Sequence, residues 1–448
     1  MLCKININTL IDEICAFIKR GNLTHEVSKS KKILSATMSQ IKVRNFRPIK
    51  SGFIENDGFI DIRKITVFIG NQGTGKSSIA KLISTFSWLE KQLYRENLKI
   101  NYVTSSKRFF NTCFNYQNLK NYFLSATEIE YRGNAYCINY TNGKLNIFPT
   151  NNIKKYSLPK IMYIPAERNF LSVVERAERI KGLPKSLYTF FEELERSQQE
   201  LSECLTLPVG DVKLEFDGIN RSLNIVGNDY KLKLSEASSG FQSFIPLFLV
   251  SRNIALSINE NQDSNQTELS GEEQKRLKKE IEEILSNDNL SEELKKVALE
   301  LLSSKYKNEC FLNIVEEIEQ NLFPQSQKNV LYKLLEFANI TEGNTLILTT
   351  HSPYIINYLT LAIKAHQVLQ NIGDSPNRDL LIRKLENVVP VASCVFSEDA
   401  IVYELTESGE IKQLSTYEGL PSDENYLNTF LAETNQLFDD LLEIEEQI

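Results

Sequence analysis

A glycine-rich octapeptide at residues 70–77, Gly-Asn-Gln-Gly-Thr-Gly-Lys-Ser, constrains the fold of this chain most, because it matches G-x-x-x-x-G-K-[ST] in full. The apolar run 65–69 precedes it, which predicts a strand buried on both faces. Apolar residues at helical spacing follow over 77–93 and predict a helix. Such a turn aims backbone N–H groups and the positive end of a helix at an anion. We therefore predict a polyphosphate-binding loop.

Each part of this loop has a predicted task toward ATP and Mg²⁺. Lys76 is expected to reach the β- and γ-phosphates, and the Ser77 hydroxyl is expected to bind Mg²⁺. The loop and the first helical turn supply these predicted nucleotide-binding residues: Gly70, Asn71, Gln72, Gly73, Thr74, Gly75, Lys76, Ser77 and Ser78. The loop alone does not distinguish kinases, GTPases and ATPases, so the downstream residues have to decide.

Two further buried strands are predicted to end in polar side chains. The apolar stretch 311–315 ends at Glu316 and Glu317. One carboxylate there can join a Mg²⁺ shell, and the other can deprotonate an attacking water. The stretch 345–348 leads to His351, one of 3 histidines in the chain. We predict that Glu316, Glu317, His351, Lys76 and Ser77 belong to one site for catalysis and metal binding. A charged strand end and a structural histidine are the alternatives.

Composition excludes several classes of protein. The net charge of -7 argues against a generally basic nucleic-acid coat. With 3 histidines, a multi-histidine metal site is almost excluded. The 7 cysteines include no C-x-x-C pair and predict a reducing cytosol rather than a disulfide framework. The longest apolar run, 244–250, is far shorter than the roughly 20 residues of a membrane span. We predict a cytoplasmic protein without a membrane partner.

Periodicity and charge divide the chain into six predicted segments. The fold class that they predict is α/β, with a β-meander, a helical lobe and a helical insertion. Residues 1–39 contain an amphipathic helix (7–20) and a basic linker, and residues 40–169 contain the phosphate loop and a β-meander (128–149) that turns at Asn142-Gly143. The helical lobe follows in 170–256 and the charged helical insertion in 257–309. Residues 310–360 carry the carboxylates and His351, and residues 361–448 form a cap with a hairpin around Gly409 and an acidic helix.

In this order, the motifs resemble those of ABC-type P-loop ATPases of the SMC/RecF-like branch, over residues 41–360. Residues 42–47, Lys-Val-Arg-Asn-Phe-Arg, are similar to the branch's first strand, and residues 316–324 to its D-E-P-E-x-x-L-x-P block. The resemblance implies a P-loop ABC-type head, with a mixed central sheet and an antiparallel β subdomain, in which 70–77 is Walker A. It makes Glu316 the Walker B acid and, with Ser77, a metal ligand. It makes Glu317 the catalytic glutamate and His351 the switch histidine, which act with Lys76. It places the signature loop on 238–242, with these nucleotide-binding residues: Ser239, Gly240 and Gln242.

The chain departs from the family pattern at several positions. Glu316 stands where most members have Asp, Ile318 replaces a Pro, and Phe241 replaces the second signature glycine. Glu167 and Arg168 occupy the place of the expected lid glutamine after strand 161–164. We hypothesise that Glu167 contacts the metal water and that Arg168 contacts phosphate. A salt bridge that joins two lobes is the alternative for both.

The family also implies partners. Two copies would sandwich two ATP molecules, each γ-phosphate lying between one Walker A loop and Ser239-Gly240 of the other copy, in a homodimer or larger homo-oligomer. The stretch 170–237 is too short for long coiled-coil arms. The strings Ile-Pro-Ala-Glu-Arg and Thr-His-Ser-Pro resemble ATPase subunits of bacterial anti-phage systems, which regulate a separate effector, a nuclease.

Several other functions stay open from the sequence. They are a DNA repair or recombination ATPase that acts on DNA directly, the ATPase subunit of a transporter, a nuclease with a fused Toprim domain and a small-molecule kinase. DNA binding has no evident signal in an acidic chain, although Arg44 and Arg47 could face DNA. The charged insertion 257–309 and the acidic tail are candidate surfaces for a partner protein or for oligomerisation.

Overall fold

The computed structural model describes residues 39–105, 109, 113–174, 180, 182–201, 203–263, 271–287, 291–373 and 375–446. The helix predicted over 7–20 and the linker up to residue 38 lie outside these residues. In chain order the strands are β1 (Ser39–Phe46), β2 (Gly52–Phe53), β3 (Ile60–Ile62), β4 (Ile65–Gly70), β5 (Phe123–Arg132), β6 (Tyr136–Thr141), β7 (Lys144–Pro149), β8 (Pro159–Ile164), β9 (Leu205–Thr206), β10 (Lys213–Asp217), β11 (Ser222–Val226), β12 (Lys231–Lys233), β13 (Cys310–Val315), β14 (Thr345–Thr349), β15 (Ala400–Leu405), β16 (Glu410–Gln413), β17 (Thr416–Tyr417) and β18 (Leu420–Pro421).

The α-helices of the described residues alternate with these strands over much of the chain. They are α1 (Lys76–Tyr94), α2 (Ile100–Val103), α3 (Phe170–Val173), α4 (Lys185–Gln199), α5 (Ser239–Asp263), α6 (Gly271–Leu285), α7 (Glu292–Tyr306), α8 (Pro324–Ile340), α9 (Pro353–Ile372), α10 (Arg378–Glu386) and α11 (Tyr426–Glu445).

A seven-stranded mixed sheet forms the centre of the fold, in the order β2-β16-β15-β4-β14-β13-β8. The five strands from β15 to β8 run parallel to one another, and β16 runs antiparallel to β15. The predicted mixed sheet is therefore confirmed. The carboxyl ends of parallel strands meet at one edge of a sheet, where α/β folds place their ligands. The segments that follow β4, β8, β13 and β14 converge there.

Two hydrophobic cores cover the two faces of this sheet. Ile65, Val67 and Ile69 of β4 face a core that α4, α5, α8 and α9 share, whereas Phe68 faces a second core with α1 and strands β1, β5 and β6. Side chains alternate between the faces of a strand, so a strand covered on both sides has to be apolar throughout. This explains why the central strands read as continuous apolar runs in the sequence.

Smaller antiparallel sheets pack around the centre. One has the order β3-β1-β5-β6-β7, another has the order β12-β11-β10-β9, and β17 pairs with β18. The predicted meander is β5-β6-β7, and its turn at Asn142 and Gly143 has φ values of 52° and 73°, as a type I′ hairpin requires. The predicted hairpin around Gly409 consists of β15 and β16, and the structure adds that β15 pairs in parallel with the phosphate-loop strand β4.

Helix α5 and the helical pair α6 and α7 bury their apolar residues in different places. The window Ser239–Ile258 of α5 is long and apolar enough to cross a membrane, but 78% of it is buried, so it is a core helix. Residues 260–308 belong to a different compact unit from residues 38–259 and 309–448. Within 260–308, α6 and α7 pack through a small apolar cluster: Ile284, Ala298, Leu302 and Tyr306.

Candidate functional site

The loop between β4 and α1 has the backbone of a phosphate cradle. Gly70, Gly73 and Gly75 have φ values of 140°, 75° and 108°, in a region that side chains disfavour. A Cβ on Gly75 would also lie 3.0 Å from Cγ1 of Ile49. Gly75 is the N-cap of α1, so the free N–H groups of a 19-residue helix face the loop. The loop therefore needs glycines because of their positive φ values and, at Gly75, also because a side chain would contact Ile49.

Lys76 is buried at the centre of the site. Its Nζ donates hydrogen bonds to the carbonyl oxygens of Gly70 at 2.9 Å and Asn71 at 2.8 Å, and it lies 3.4 Å from Nδ1 of His351. Burial lowers the pKa of Lys76 to about 8, against the raising effect of the nearby carboxylates. The lysine thus lies against the loop and beside the histidine that the sequence predicted as its partner at the γ-phosphate.

Glu316 lies at the end of β13 and is only 3% exposed. The backbone N–H of Ala166 donates to its Oε2 at 3.4 Å, and Nζ of Lys81 lies 3.9 Å from its Oε1. Within the described residues that Oε1 accepts no hydrogen bond. Lys81 is four residues after Ser77 on α1, so both share a helix face. Glu316 therefore lies beside the face of α1 that carries Ser77.

Glu317 has an unusual backbone that two neighbours hold in place. Its φ is 45°, a left-handed conformation that costs a non-glycine residue about 1–3 kcal/mol and is common at functional sites. Its N–H donates to Oγ1 of Thr349 at 3.1 Å, and its carbonyl accepts from Arg168 at 2.7 Å. Its Oε1 lies 3.8 Å from Nε2 of His351. The turn thus directs this carboxylate to the histidine.

His351 is positioned by a carboxylate that the sequence analysis did not assign. Glu319 accepts a hydrogen bond from the backbone N–H of His351 and another, 2.7 Å long, from Oγ1 of Thr350. Burial, followed by the charge of Lys76, lowers the pKa of His351. Both effects favour the neutral imidazole, which has one donor and one acceptor nitrogen.

Arg168 is fully buried. Its guanidinium donates to the carbonyl oxygens of Ser243 at 3.1 Å, Pro165 at 3.2 Å, Glu316 at 2.6 Å and Glu317 at 2.7 Å. Burial lowers its pKa to about 10, so it remains charged at neutral pH. The described hydrogen bonds of Arg168 thus go to backbone carbonyls of three segments, and its predicted contact with phosphate stays a prediction. Only the tertiary fold brings these carbonyls together.

The predicted signature turn lies at the start of α5. Ser239 is exposed there, and a Cβ on Gly240 would lie 2.9 Å from the carbonyl oxygen of Asn321, so this turn packs on the loop after β13. Phe241 packs into the helical core. The amide of Gln242 donates to the carbonyls of Ser235 at 3.1 Å and Ala237 at 3.0 Å, that is, to the preceding turn. Nucleotide contacts of Ser239, Gly240 and Gln242 stay predictions.

The donor set fits a Mg²⁺ ion that shares its shell with a substrate. In the described part of the chain, no group of three or more His, Cys, Asp or Glu side chains is suited to hold a metal alone. Magnesium instead uses one or two protein oxygens together with phosphates and waters. The buried carboxylate of Glu316 and the hydroxyl of Ser77 match that pattern. Glu167 is exposed, and its predicted contact with a metal water stays a prediction.

The structure brings Lys76, Glu317 and His351 close together, and Glu316 lies at the same sheet edge; their catalytic and metal-binding roles stay predictions. Glu319 and Lys81 were missed. The sequence signal for Lys81 is its four-residue spacing from Ser77, and the signal for Glu319 is its place in the acidic string after β13.

No family model matches this chain, and no curated protein does. Several solved structures are loosely similar. An SMC head domain from Thermotoga maritima is 11% identical, with 72% of this chain and 91% of that one covered and a TM-score of 0.30. An Smc head with an extended coiled coil from Pyrococcus furiosus, bound to the C-terminal domain of ScpA, is 10% identical, with coverages of 90% and 100% and a TM-score of 0.32. A nucleotide-free ATP-binding cassette from an ABC transporter is 10% identical, with coverages of 85% and 93% and a TM-score of 0.29.

Proposed function

We propose that this chain is an ABC-type ATPase that hydrolyses ATP to ADP and phosphate. The observation that carries the proposal is the meeting of four strand ends at one sheet edge. There Lys76 lies 3.4 Å from His351, and His351 lies 3.8 Å from Glu317. The site thus contains a lysine that can bind phosphate, a carboxylate that can activate water and a neutral imidazole between them. Transfer of a γ-phosphoryl group to water uses groups of these kinds.

The first task of these residues is to hold the triphosphate. The backbone N–H groups of the glycine loop and the start of α1 carry positive partial charge, and Lys76 adds a full charge. Lys76 would have to leave the carbonyls of Gly70 and Asn71 in order to contact the β- and γ-phosphates. Ser77 and Glu316 would hold Mg²⁺, which neutralises phosphate charge when bound.

The second task is to activate water. The carboxylate of Glu317 is partly exposed, and Arg168 and Thr349 fix its backbone. We assign it as the base that takes a proton from the attacking water. Nε2 of His351 lies 3.8 Å from Oε1 of Glu317, and because its pKa is lowered His351 can donate one N–H to the γ-phosphate without carrying charge.

The third part of the proposal is pairing of two copies across the nucleotide. Ser239 is exposed at the first turn of a long helix, a position suited to an anion. The resemblance in the sequence supplies the idea that this turn faces the γ-phosphate on the other copy. A separate effector nuclease and a role in anti-phage defence follow from the resemblance alone and stay predictions.

Replacing Glu317 by Gln tests the hydrolysis proposal. The variant should bind ATP with unchanged affinity and lose turnover by about 10²–10⁴-fold, because only the base is removed. Mass measurement with and without ATP on the same variant tests pairing, since a paired state that cannot hydrolyse should accumulate. Glu309→Gln is the control, because Glu309 directly precedes β13 at the opposite end of that strand.

Each outcome bears on a separate part of the proposal. Undiminished hydrolysis in Glu317→Gln would remove Glu317 from the mechanism. A wild-type chain that does not bind ATP would contradict the ATPase proposal as a whole. ATP binding without any change of mass would contradict the pairing alone.

A further inference from the structure

The C-terminal helix α11 carries an apolar stripe that is exposed to solvent. Residues 433–446 are all exposed, which corresponds to about 20 Å of helix. Leu437, Phe438, Leu441 and Ile444 have between 57% and 64% of their surface exposed. A single helix of this length is marginal in water without tertiary packing, and clustered exposed apolar residues mark interaction sites.

The root of the helix is firmly held. Oδ1 of Asn425 caps the first turn by accepting from the N–H groups of Leu427 and Asn428, at 3.1 Å each. The N–H of Tyr426 donates to Oε2 of Glu404 at 3.0 Å, and its hydroxyl donates to Oε1 of Glu407 at 3.3 Å. These contacts hold the first turn of α11 against the end of β15 and the segment that follows it.

Three of the apolar residues follow the spacing of a coiled coil. Leu437, Leu441 and Ile444 are separated by four and three residues, which is the d-a-d part of a heptad repeat, and Thr434 occupies the preceding a position. In this register Glu433 and Asp440 occupy g positions. The e and g positions flank the seam and decide which partner helix fits.

The charge of α11 selects against a second copy of this chain. From residue 426 to the end the sequence contains acidic residues and no Lys or Arg. A parallel pair of α11 helices would face Asp440 with Glu445, and an antiparallel pair would face g-position acids with each other. Like charges at these positions disfavour pairing. A helix with Lys or Arg at its e and g positions would instead pair with these acids.

We propose that α11 is a docking helix for a partner protein that supplies an amphipathic helix with apolar a and d residues and basic e and g residues. The proposal is independent of ATP hydrolysis, because α11 contains none of the residues assigned to the nucleotide. It gives the acidic tail one specific occupant, whereas the sequence alone left it as either a partner surface or an oligomer surface.

Two synthetic helical peptides of about three heptads test the proposal against the full chain. Both have Ile at a and Leu at d, and they differ only in having Lys or Glu at every e and g position. The full chain should bind the Lys peptide about tenfold more tightly than the Glu peptide at moderate salt, and the preference should shrink as salt rises.

Two double variants separate the apolar seam from the charge. Leu437→Asp with Leu441→Asp should abolish binding of the Lys peptide, and Glu433→Lys with Asp440→Lys should reverse the preference toward the Glu peptide. All four side chains are exposed, so an unchanged thermal unfolding midpoint verifies the fold.

Three results would overturn the proposal. The first is no binding of either peptide, and the second is equal binding of both, which would indicate apolar adhesion without charge selection. The third is a dimer of the wild-type chain that Leu437→Asp with Leu441→Asp disrupts, because a second copy would then be the occupant.

Discussion

Replacing Arg168 is expected to reduce hydrolysis through the position of Glu317. The guanidinium donates to the carbonyls of Glu316 and Glu317 at 2.6 and 2.7 Å and to those of Ser243 and Pro165 at longer distance. A hydrogen bond from a charged donor contributes about 1.5–3 kcal/mol. Loss of the two shortest bonds should therefore cost about 3–6 kcal/mol, a large part of the roughly 5–15 kcal/mol that stabilises a typical domain.

Arg168→Met would lose both of these hydrogen bonds and could therefore unfold. Arg168→Lys is the more informative variant. Lysine keeps the charge, but a single ammonium cannot reproduce the planar fork that reaches both carbonyls of the turn. We expect kcat of Arg168→Lys to fall about 10²-fold, because a displacement of about 1 Å at a catalytic group has an effect of that order. The affinity for ATP should change by less than about threefold, because Lys76 and the glycine loop keep their own contacts.

Steady-state ATPase measurements, nucleotide binding and urea unfolding on the same preparations provide the three readouts. Arg63→Met is a matched control, because Arg63 also donates to two backbone carbonyls, those of Glu398 and Ala400 at 3.2 Å each, near the amino end of β15. Folded Arg168→Lys with the kcat of the wild type would refute the reasoning. An equal loss of kcat in Arg63→Met would do so as well, because general destabilisation would then explain the effect.

Three further outcomes are expected. Because burial lowers the pKa of Lys76 to about 8, ATP binding at pH 8.5 should be accompanied by proton uptake that declines toward pH 7. Calorimetry in buffers of different ionisation enthalpy measures this uptake. Binding heats at pH 8.5 that do not depend on the buffer would contradict the prediction. Gly75→Ala should weaken ATP binding and cost about 1–3 kcal/mol in urea unfolding, because φ is 108° and its Cβ would meet Ile49; wild-type values in both assays would contradict it. Glu319→Gln should lower the free energy of unfolding by about 1–3 kcal/mol and also reduce kcat, because the amide of the new glutamine would face the backbone N–H of His351. An unchanged kcat would limit Glu319 to a structural role.

Local sequence accounts for most of the secondary structure and for the identity of the strand-end residues. A strand buried on both faces has to be a continuous apolar run, so β4, β8, β13 and β14 were recognisable without any knowledge of their neighbours. The glycines at 70, 73 and 75 were recognisable because the loop needs positive φ. These signals depend on adjacent residues alone, and therefore the positions of Lys76 and Glu317 could be predicted.

The contacts between those strand ends depended on the tertiary structure. Strand order has no local signal, and it is the place of β14 between β4 and β13 that sets His351 between Lys76 and Glu317. The pairing of β15 with β4 likewise joins residues more than three hundred positions apart. Arg168 shows the same dependence, since its acceptors are backbone carbonyls, which every sequence contains, and only folding selects which of them it meets. The sequence by itself determined which side chains reach the sheet edge, and the long-range pairing of strands decided which of them touch.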